Sequence, residues 1–300
     1  ERILKFLLWQ KGGCDIYVSG NAELFESLKN IYAPDGLREF DYHFMGDKVY
    51  GRKFKMLHVS GEELLEENEA DVTLGRNLDG CRIGFDLGGS DRKCAALIDG
   101  EVVFSEEIKW DPYFEKDPNY HIEGVQDTLK RAAAKLPRVD AIGGSAAGVY
   151  VNNEVRVGSL YRGVEEDDFN THIRRMFFTL KERWGGIPFE VVNDGEVTAL
   201  AGAMSMNDNG VLGISMGTSQ AAGYVDPNGH IKPWLNELAF APIDYSPTAH
   251  RDEWSGDIGV GAQYFSQQAV ARLLPHAGIQ VDEALGFPEQ LEYLQEKMKQ

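Results

Sequence analysis

Two stretches about 130 residues apart repeat one design, and a long-range echo of this kind limits the folds available more than any bulk property. The first is "RIGFDLGGSDRKCAALIDGEVV" (residues 82–103) and the second is "GVLGISMGTSQAAGYVDPNGHI" (residues 210–231). Each reads as strand, glycine turn, strand, polar turn and further strand. Leu87-Gly88-Gly89-Ser90 in the first aligns with Met216-Gly217-Thr218-Ser219 in the second. One reading is chance similarity between two hairpins. The other is a duplicated α/β lobe, with a cleft between the halves and one glycine turn facing it from each side.

The 300 residues are 43% hydrophobic and 26% charged, an ordinary globular composition with room for about two domains. The formal net charge of −18 opposes binding to nucleic acid or to an anionic membrane, so neither is an expected partner. The three cysteines, Cys14, Cys81 and Cys94, are odd in number, widely spaced and lack a CxxC pair. That pattern fits a reducing cytoplasm and argues against a cysteine zinc site. The apolar "ILKFLLW" near the start is too short to span a membrane and lacks a signal-peptide cleavage pattern. The chain begins at Glu1 rather than Met, which is read as trimming or processing.

Three regions are expected: 1–79 as an appended N-terminal α/β region, 80–195 as the first lobe, and 196–300 as a second lobe that stops short. In the first, "CDIYVSGNAELFESL" reads as strand, glycine, helix, with Asn21 as cap. That form suits an adenosine-facing motif and equally an ordinary βα unit. "DKVYGRKFKMLHV" has strand character, and "GEELLEENEAD" reads as an acidic helix or linker. From residue 81, "CRIGFDL", "KCAALID" and "EVVFSEEIKW" form a meander, with Asp-Gly as a hairpin signal. "GVQDTLKRAAAKL" is a helix, and "RVDAIGGSAAGVYVN" is a buried strand that runs into a small-residue loop. "EEDDFNTHIRRMFFTLKERWGG" is a capped helix with a glycine stop, "PFEVVND" a strand, and "GEVTALAGAMSM" a small-residue helix. Glycine-rich "SGDIGVG" reads as a loop that enters the next helix. Walker A, GxGxxG and HExxH patterns are absent, and the seven histidines are too scattered to suggest a metal site.

Asp86 closes an apolar run just before Gly88, Gly89, Ser90 and Lys93. As a hairpin, the glycines would supply positive φ and Asp86 would be a solvated strand end. As a phosphate site, glycine N–H groups would approach phosphate oxygens while the carboxylate held a metal ion. Asp194, in "VVNDGEVTALAGA", lies between a strand and a helix. It reads either as an N-cap or as a general base, because the strand ends of an α/β sheet are where ligands collect.

In order and spacing, "IGFDLGGSDRK", "AIGGSAAGVYVN", "VVNDGEVTALAG" and "LGISMGTSQAAGYV" resemble the ROK family of bacterial sugar kinases, within the actin-like, ribonuclease-H-like ATPase superfamily. The resemblance covers roughly residues 81–265. It implies duplicated ribonuclease-H-like lobes around a central cleft, a homodimer, and ATP- and Mg²⁺-dependent transfer of phosphate to a sugar hydroxyl of the hexose or N-acetylhexosamine class. By resemblance, Asp86 handles the metal, and Gly88, Gly89, Ser90 and Lys93 form the first phosphate motif. Gly217, Thr218 and Ser219 form the second. Ser145, Ala146 and Gly148 shape the sugar pocket, with Asn193 and Glu237 on sugar hydroxyls and Asp194 as the base.

Two departures stand out. Phe240 occupies the place of a family histidine, and the family's zinc-binding cysteines are missing from 241–265, so no structural zinc is expected. These departures favour an alternative reading as a degenerate sugar- or nucleotide-binding regulator without turnover, and the retained Asp86 and Asp194 oppose it.

Overall fold

The computed structural model describes residues 1–66, 74–217, 219–232, 234–282 and 284–299. Along the chain, α1 (Arg2–Lys11), β1 (Asp15–Ser19), α2 (Ala22–Ile31), α3 (Glu39–His43) and β2 (Lys55–Val59) come first. The middle of the chain holds β3 (Cys81–Leu87), β4 (Asp91–Ile98), β5 (Glu101–Lys109), α4 (Pro118–Ala133), β6 (Ala141–Ala146), β7 (Val149–Val151) and β8 (Glu154–Val157). Next are α5 (Glu166–Asp168), α6 (Met176–Arg183), β9 (Phe189–Asn193), α7 (Asp194–Met206), β10 (Val211–Met216) and β11 (Gln220–Val225). Helices α8 (Gln267–Leu273) and α9 (Phe287–Met298) complete the chain. No helix among the described residues is long and apolar enough to cross a membrane.

The chain divides into two compact units, Glu1–Val72 together with Thr198–Gln300, and Thr73–Val197. This differs from the expected appended region, since residues 1–72 share a unit with 198–300.

Thr73–Val197 is built on a mixed five-stranded sheet in the order β5-β4-β3-β6-β9. The expected meander forms as antiparallel β3–β4–β5, and β6 and β9 join β3 in parallel. Alternation in β3 buries Cys81, Ile83, Phe85 and Leu87 and turns Arg82, Gly84 and Asp86 to the other face. The buried face meets Val125 and Leu129 of α4 and Phe177 of α6 in one core, which Ile142, Phe189 and Val191 complete. Helix α4 starts at Pro118, where Asp117 caps the Asn119 N–H at 2.9 Å. The helix expected across residues 165–186 is interrupted. A wide turn over Phe169–Ile173 separates α5 from α6, and the Arg174 carbonyl accepts the N–H of Val155 of β8 instead of continuing a helical ladder.

In the other unit, β1 and β2 pair in parallel, and Asn21 Oδ1 caps α2 by accepting the Leu24 N–H at 2.9 Å. The strand expected at "DKVY" is instead a turn of π-helix over Phe44–Tyr50. Met45 and Val49 are fully buried there, so tertiary burial overrides the local β preference of the sequence. Strands β10 and β11 form the second hairpin in antiparallel register, Met216 opposite Gln220. Gly213 lets α7 lie close on β10: a Cβ there would stand 2.5 Å from the Ala199 nitrogen. The sequence echo therefore holds at the level of hairpins, whereas a second five-stranded sheet is not formed among the described residues.

Phe240 has a structural explanation. Its ring lies 4.6 Å from Trp9, 5.2 Å from Trp254 and 5.6 Å from Phe40. Phe240 is thus part of an aromatic cluster, and its partners Trp9 and Phe40 come from the first forty residues.

Candidate functional site

Three parallel strands bring their carboxyl ends into line. The register places Asp86 beside Ser145 and Leu87 beside Ala146, and Ala146 in turn beside Asn193. Asp194 follows at the start of α7. Residues scattered across more than 100 positions thus share one sheet end, where open α/β sheets gather ligands.

Ser145 donates its hydroxyl to Asp86 Oδ1 at 2.5 Å. Asn193 joins three segments. Its Nδ2 donates to the Gly148 carbonyl at 2.8 Å, and its Oδ1 accepts the Gly195 N–H at 2.7 Å. Gly148 needs to be glycine for two reasons. Its φ is +126°, and a Cβ would stand 2.3 Å from the Val157 carbonyl oxygen. Gly148→Ala is expected to lower stability by about 2–3 kcal/mol, measured by urea unfolding, because strain and overlap add at one backbone position.

Burial raises the pKa of Asp194 above that of an ordinary aspartate, and the nearby Asp86 charge raises it further. Burial also pushes Glu196 up to about 7. Two carboxyls in the first turn of α7 are therefore less acidic than usual, a common feature of sites that move protons.

The first glycine turn differs from its expected conformation. Neither Gly88 nor Gly89 has a positive φ. Space is the reason for glycine at Gly89, where a Cβ would stand 2.0 Å from the Tyr113 hydroxyl. The turn is held by Gly88 N–H to the Asp91 carbonyl at 2.8 Å and by Trp110 Nε1 to the Gly88 carbonyl at 2.8 Å. Ser90 donates to Asp91 at 2.9 Å, and Lys93, half exposed and opposite Asp86 in register, pairs with Asp91 at 3.0 Å.

Asp86, Gly88–Ser90, Lys93, Ser145, Ala146, Gly148, Asn193 and Asp194 all belong to Thr73–Val197. Gly217, Ser219 and Glu237 belong to the other unit, Gly217 and Ser219 at the β10–β11 turn and Glu237 just before a 3₁₀ turn over Leu238–Phe240. Thr218 lies outside the described residues.

Residues that sequence reading did not single out complete the floor of the site. Gly84 and Gly143 are register partners, and nothing approaches within 4 Å of where their Cβ atoms would be. A cavity of about 520 Å³ opens on this face, lined by Gly84, Asp86, Lys93, Glu107, Ser145 and Val197. Glycine inside a strand is the signal that could have marked this floor, since it keeps the surface clear for a ligand.

Among the described residues, no group of three or more His, Cys, Asp or Glu is placed to hold a metal ion. A single carboxylate such as Asp86 still suits Mg²⁺, which commonly takes one or two protein carboxylates and fills its other positions with water and phosphate oxygens.

No protein-family model matches the chain, and no curated protein sequence does. Solved structures do match it. A ROK hexokinase from Thermus thermophilus aligns with TM-score 0.52 and 18% identity, over 67% of this chain and 66% of that one. A ROK family transcriptional regulator, a homologue of the E. coli MLC protein, aligns with TM-score 0.50 and 20% identity, over 67% of this chain and 50% of that one. A ROK family protein from Streptococcus pneumoniae TIGR4, solved with sucrose, aligns with TM-score 0.50 and 13% identity, over 73% of this chain and 68% of that one. The chain thus spans half to about two thirds of the lengths of these proteins. Identities of 13% to 20% leave the fold as what is shared, and this chain has the mixed α/β architecture of ROK family structures, among them a hexokinase and a transcriptional regulator.

Proposed function

We propose that the protein transfers a phosphoryl group from ATP to the hydroxyl of a sugar of the hexose or N-acetylhexosamine class, with Asp194 as general base. The observation that carries this reading is the desolvated Asp194 beside Asp86, at the aligned ends of β3, β6 and β9. Asp194 accepts the proton as the sugar oxygen attacks, and its raised basicity suits that task. Asn193 orients a sugar hydroxyl while its side chain ties the loop after β6 to the start of α7. Ser145, Ala146 and Gly148 shape the pocket wall.

Asp86 would hold Mg²⁺ among phosphate oxygens and water. When bound, Mg²⁺ neutralises charge on the phosphates. Gly88, Gly89, Ser90 and Lys93 would line the phosphate chain. Lys93 would exchange its contact with Asp91 for phosphate.

A second reading is favoured by a specific observation. Phe240 sits in an aromatic cluster where the family carries a polar residue, and one of the similar structures is a transcriptional regulator. On that reading the protein binds sugar or nucleotide without turnover.

ADP release from purified protein with MgATP, across a panel of hexoses, N-acetylhexosamines and ketoses, separates the two. Sugar-dependent release with one preferred sugar is expected. A folded protein that binds sugar or ATP and releases no ADP with any sugar is the regulator. ADP release unaffected by any sugar would mean an ATPase with another acceptor, and would sink both readings.

A further inference from the structure

Tyr113 carries a hydroxyl that the fold does not use. The residue lies between β5 and α4, and its ring edge rests on the first glycine turn. A Cβ at Gly89 would stand 2.0 Å from the Tyr113 hydroxyl oxygen, 2.4 Å from Cζ and 2.8 Å from Cε2. The turn thus gives up a side chain at residue 89 and receives a phenol oxygen in its place. Among the described residues that hydroxyl has no hydrogen-bond partner, and it is open to solvent. Trp110 differs, since its Nε1–H is committed to the Gly88 carbonyl at 2.8 Å and serves the turn's own structure.

A cation holds the ring. Arg162 places its guanidinium carbon 4.1 Å from the centroid of the Tyr113 ring and 4.9 Å from that of Phe114. Gly163 lets the two segments meet: a Cβ there would stand 2.6 Å from the Glu115 carbonyl oxygen and 2.8 Å from the Phe114 carbonyl carbon. Arg162 is exposed and has no carboxylate partner among the described residues. Lys93, by comparison, is already paired with Asp91 at 3.0 Å. One tyrosine ring away from the glycine turn, then, stands a guanidinium whose charge is uncommitted. Tyr113, Arg162 and the turn all belong to Thr73–Val197.

We infer that Tyr113 is a phosphate-binding residue: its hydroxyl donates a hydrogen bond to an oxygen of the ATP phosphate chain at the Gly88–Ser90 turn, and Arg162 holds its ring in place. The inference rests on the sugar-kinase reading for the identity of the anion, and on the contact with Gly89 for its location. A phenol is a donor at neutral pH, and a phosphate oxygen is an anionic acceptor, the combination that gives the stronger hydrogen bonds. No bond within the protein has to break first, because the hydroxyl gives up only water. The guanidinium on the ring face adds positive charge beside a turn that already carries the carboxylates of Asp86 and Asp91. A tyrosine that only filled space here would need its ring and not its oxygen.

Tyr113→Phe removes the hydroxyl alone and keeps the ring beside Arg162. Titration calorimetry of the full chain with MgATP is expected to show a Kd raised about 10- to 100-fold in this variant, with the melting temperature close to that of the parent protein. The KM for ATP in sugar-dependent ADP release should rise with it. Arg162→Met keeps a long side chain without the charge, and should raise the Kd for MgATP by a smaller factor, about threefold. A folded Tyr113→Phe protein that binds MgATP as tightly as the parent overturns the inference. An Arg162→Met protein with the parent's affinity overturns the part given to Arg162. If the parent binds MgATP but shows no sugar-dependent release, the kinase reading fails by itself, and the calorimetry still decides the role of Tyr113. A parent protein that binds no MgATP overturns both.

Discussion

Asp194→Asn is expected to reduce sugar-dependent ADP release by about 10³-fold, within the 10²–10⁴ range that general-base catalysis contributes. Asparagine is nearly isosteric with aspartate and can still accept a hydrogen bond such as the one from the Gly195 N–H at 3.2 Å. It cannot take a proton, so kcat should fall while the KM for sugar changes little. The pH profile adds a second check. The base works only when ionised, so activity must fall as pH drops through its pKa. Burial and the Asp86 charge raise that pKa, which places the acid limb above the range of an ordinary aspartate. The limb should disappear from the residual activity of the variant. Stability should move the other way. A carboxyl whose folded pKa is raised favours folding in its protonated form, and that advantage is lost as pH rises through the folded pKa. Asparagine removes the cost of burying the charge, so the variant should melt no lower than the parent protein at pH 8. A variant that loses activity and melts much lower would indicate a structural defect, and the base assignment would then lack support.

Asp41→Ala is expected to lower stability by about 3–5 kcal/mol, the usual consequence of removing one partner from a buried ion pair. Lys5 and Asp41 are each only 1% exposed, with Nζ 2.6 Å from Oδ1. The same oxygen accepts Trp9 Nε1 at 2.6 Å. Removing it leaves an indole N–H without its acceptor and a buried ammonium with Asp257 at 3.3 Å as its remaining charge partner. The network extends to Arg38, which bonds Asp257 and also Glu1 at 2.9 Å. It therefore joins residues 1–41 to 257 within one unit. The double replacement Lys5→Met with Asp41→Leu should be milder, since it removes the uncompensated ammonium, while the Trp9 N–H still loses its acceptor. The acid side of the melt is also specified. Burial pushes the Asp257 pKa up, but Lys5 and Arg38 outweigh it and hold the carboxyl below its usual range. Its contribution is present above the unfolded pKa and is lost as pH falls through the lower folded value. Urea unfolding that shifts by less than about 1 kcal/mol for Asp41→Ala would mean that the pair is solvated in practice.

The hairpins, the β3–β4–β5 meander and the placement of Asp194 between a strand and a helix were legible because each is written in local order: alternation, a turn residue, a change of period. Other features lay beyond local reading. "DKVY" has the composition of a strand, yet burial of Met45 and Val49 makes it helical. Gly88 and Gly89 looked like positive-φ turn residues, and the demand at Gly89 is room for the Tyr113 hydroxyl, a residue more than twenty positions away. Phe240 looked like a lost ligand, and the structure gives it Trp9, Phe40 and Trp254 as neighbours.

By itself, then, the sequence determined which residues are available for chemistry and in which local frames they stand, because periodicity and turn chemistry act over a few residues. Only the tertiary structure decided which of them meet. The parallel pairing of β3, β6 and β9 sets Asp86, Ser145 and Asn193 side by side, Gly84 and Gly143 clear the floor beneath them, and burial moves the pKa values of Asp194 and Glu196. Strand register, open space and desolvation are properties of segments packed together, and no one segment carries them alone.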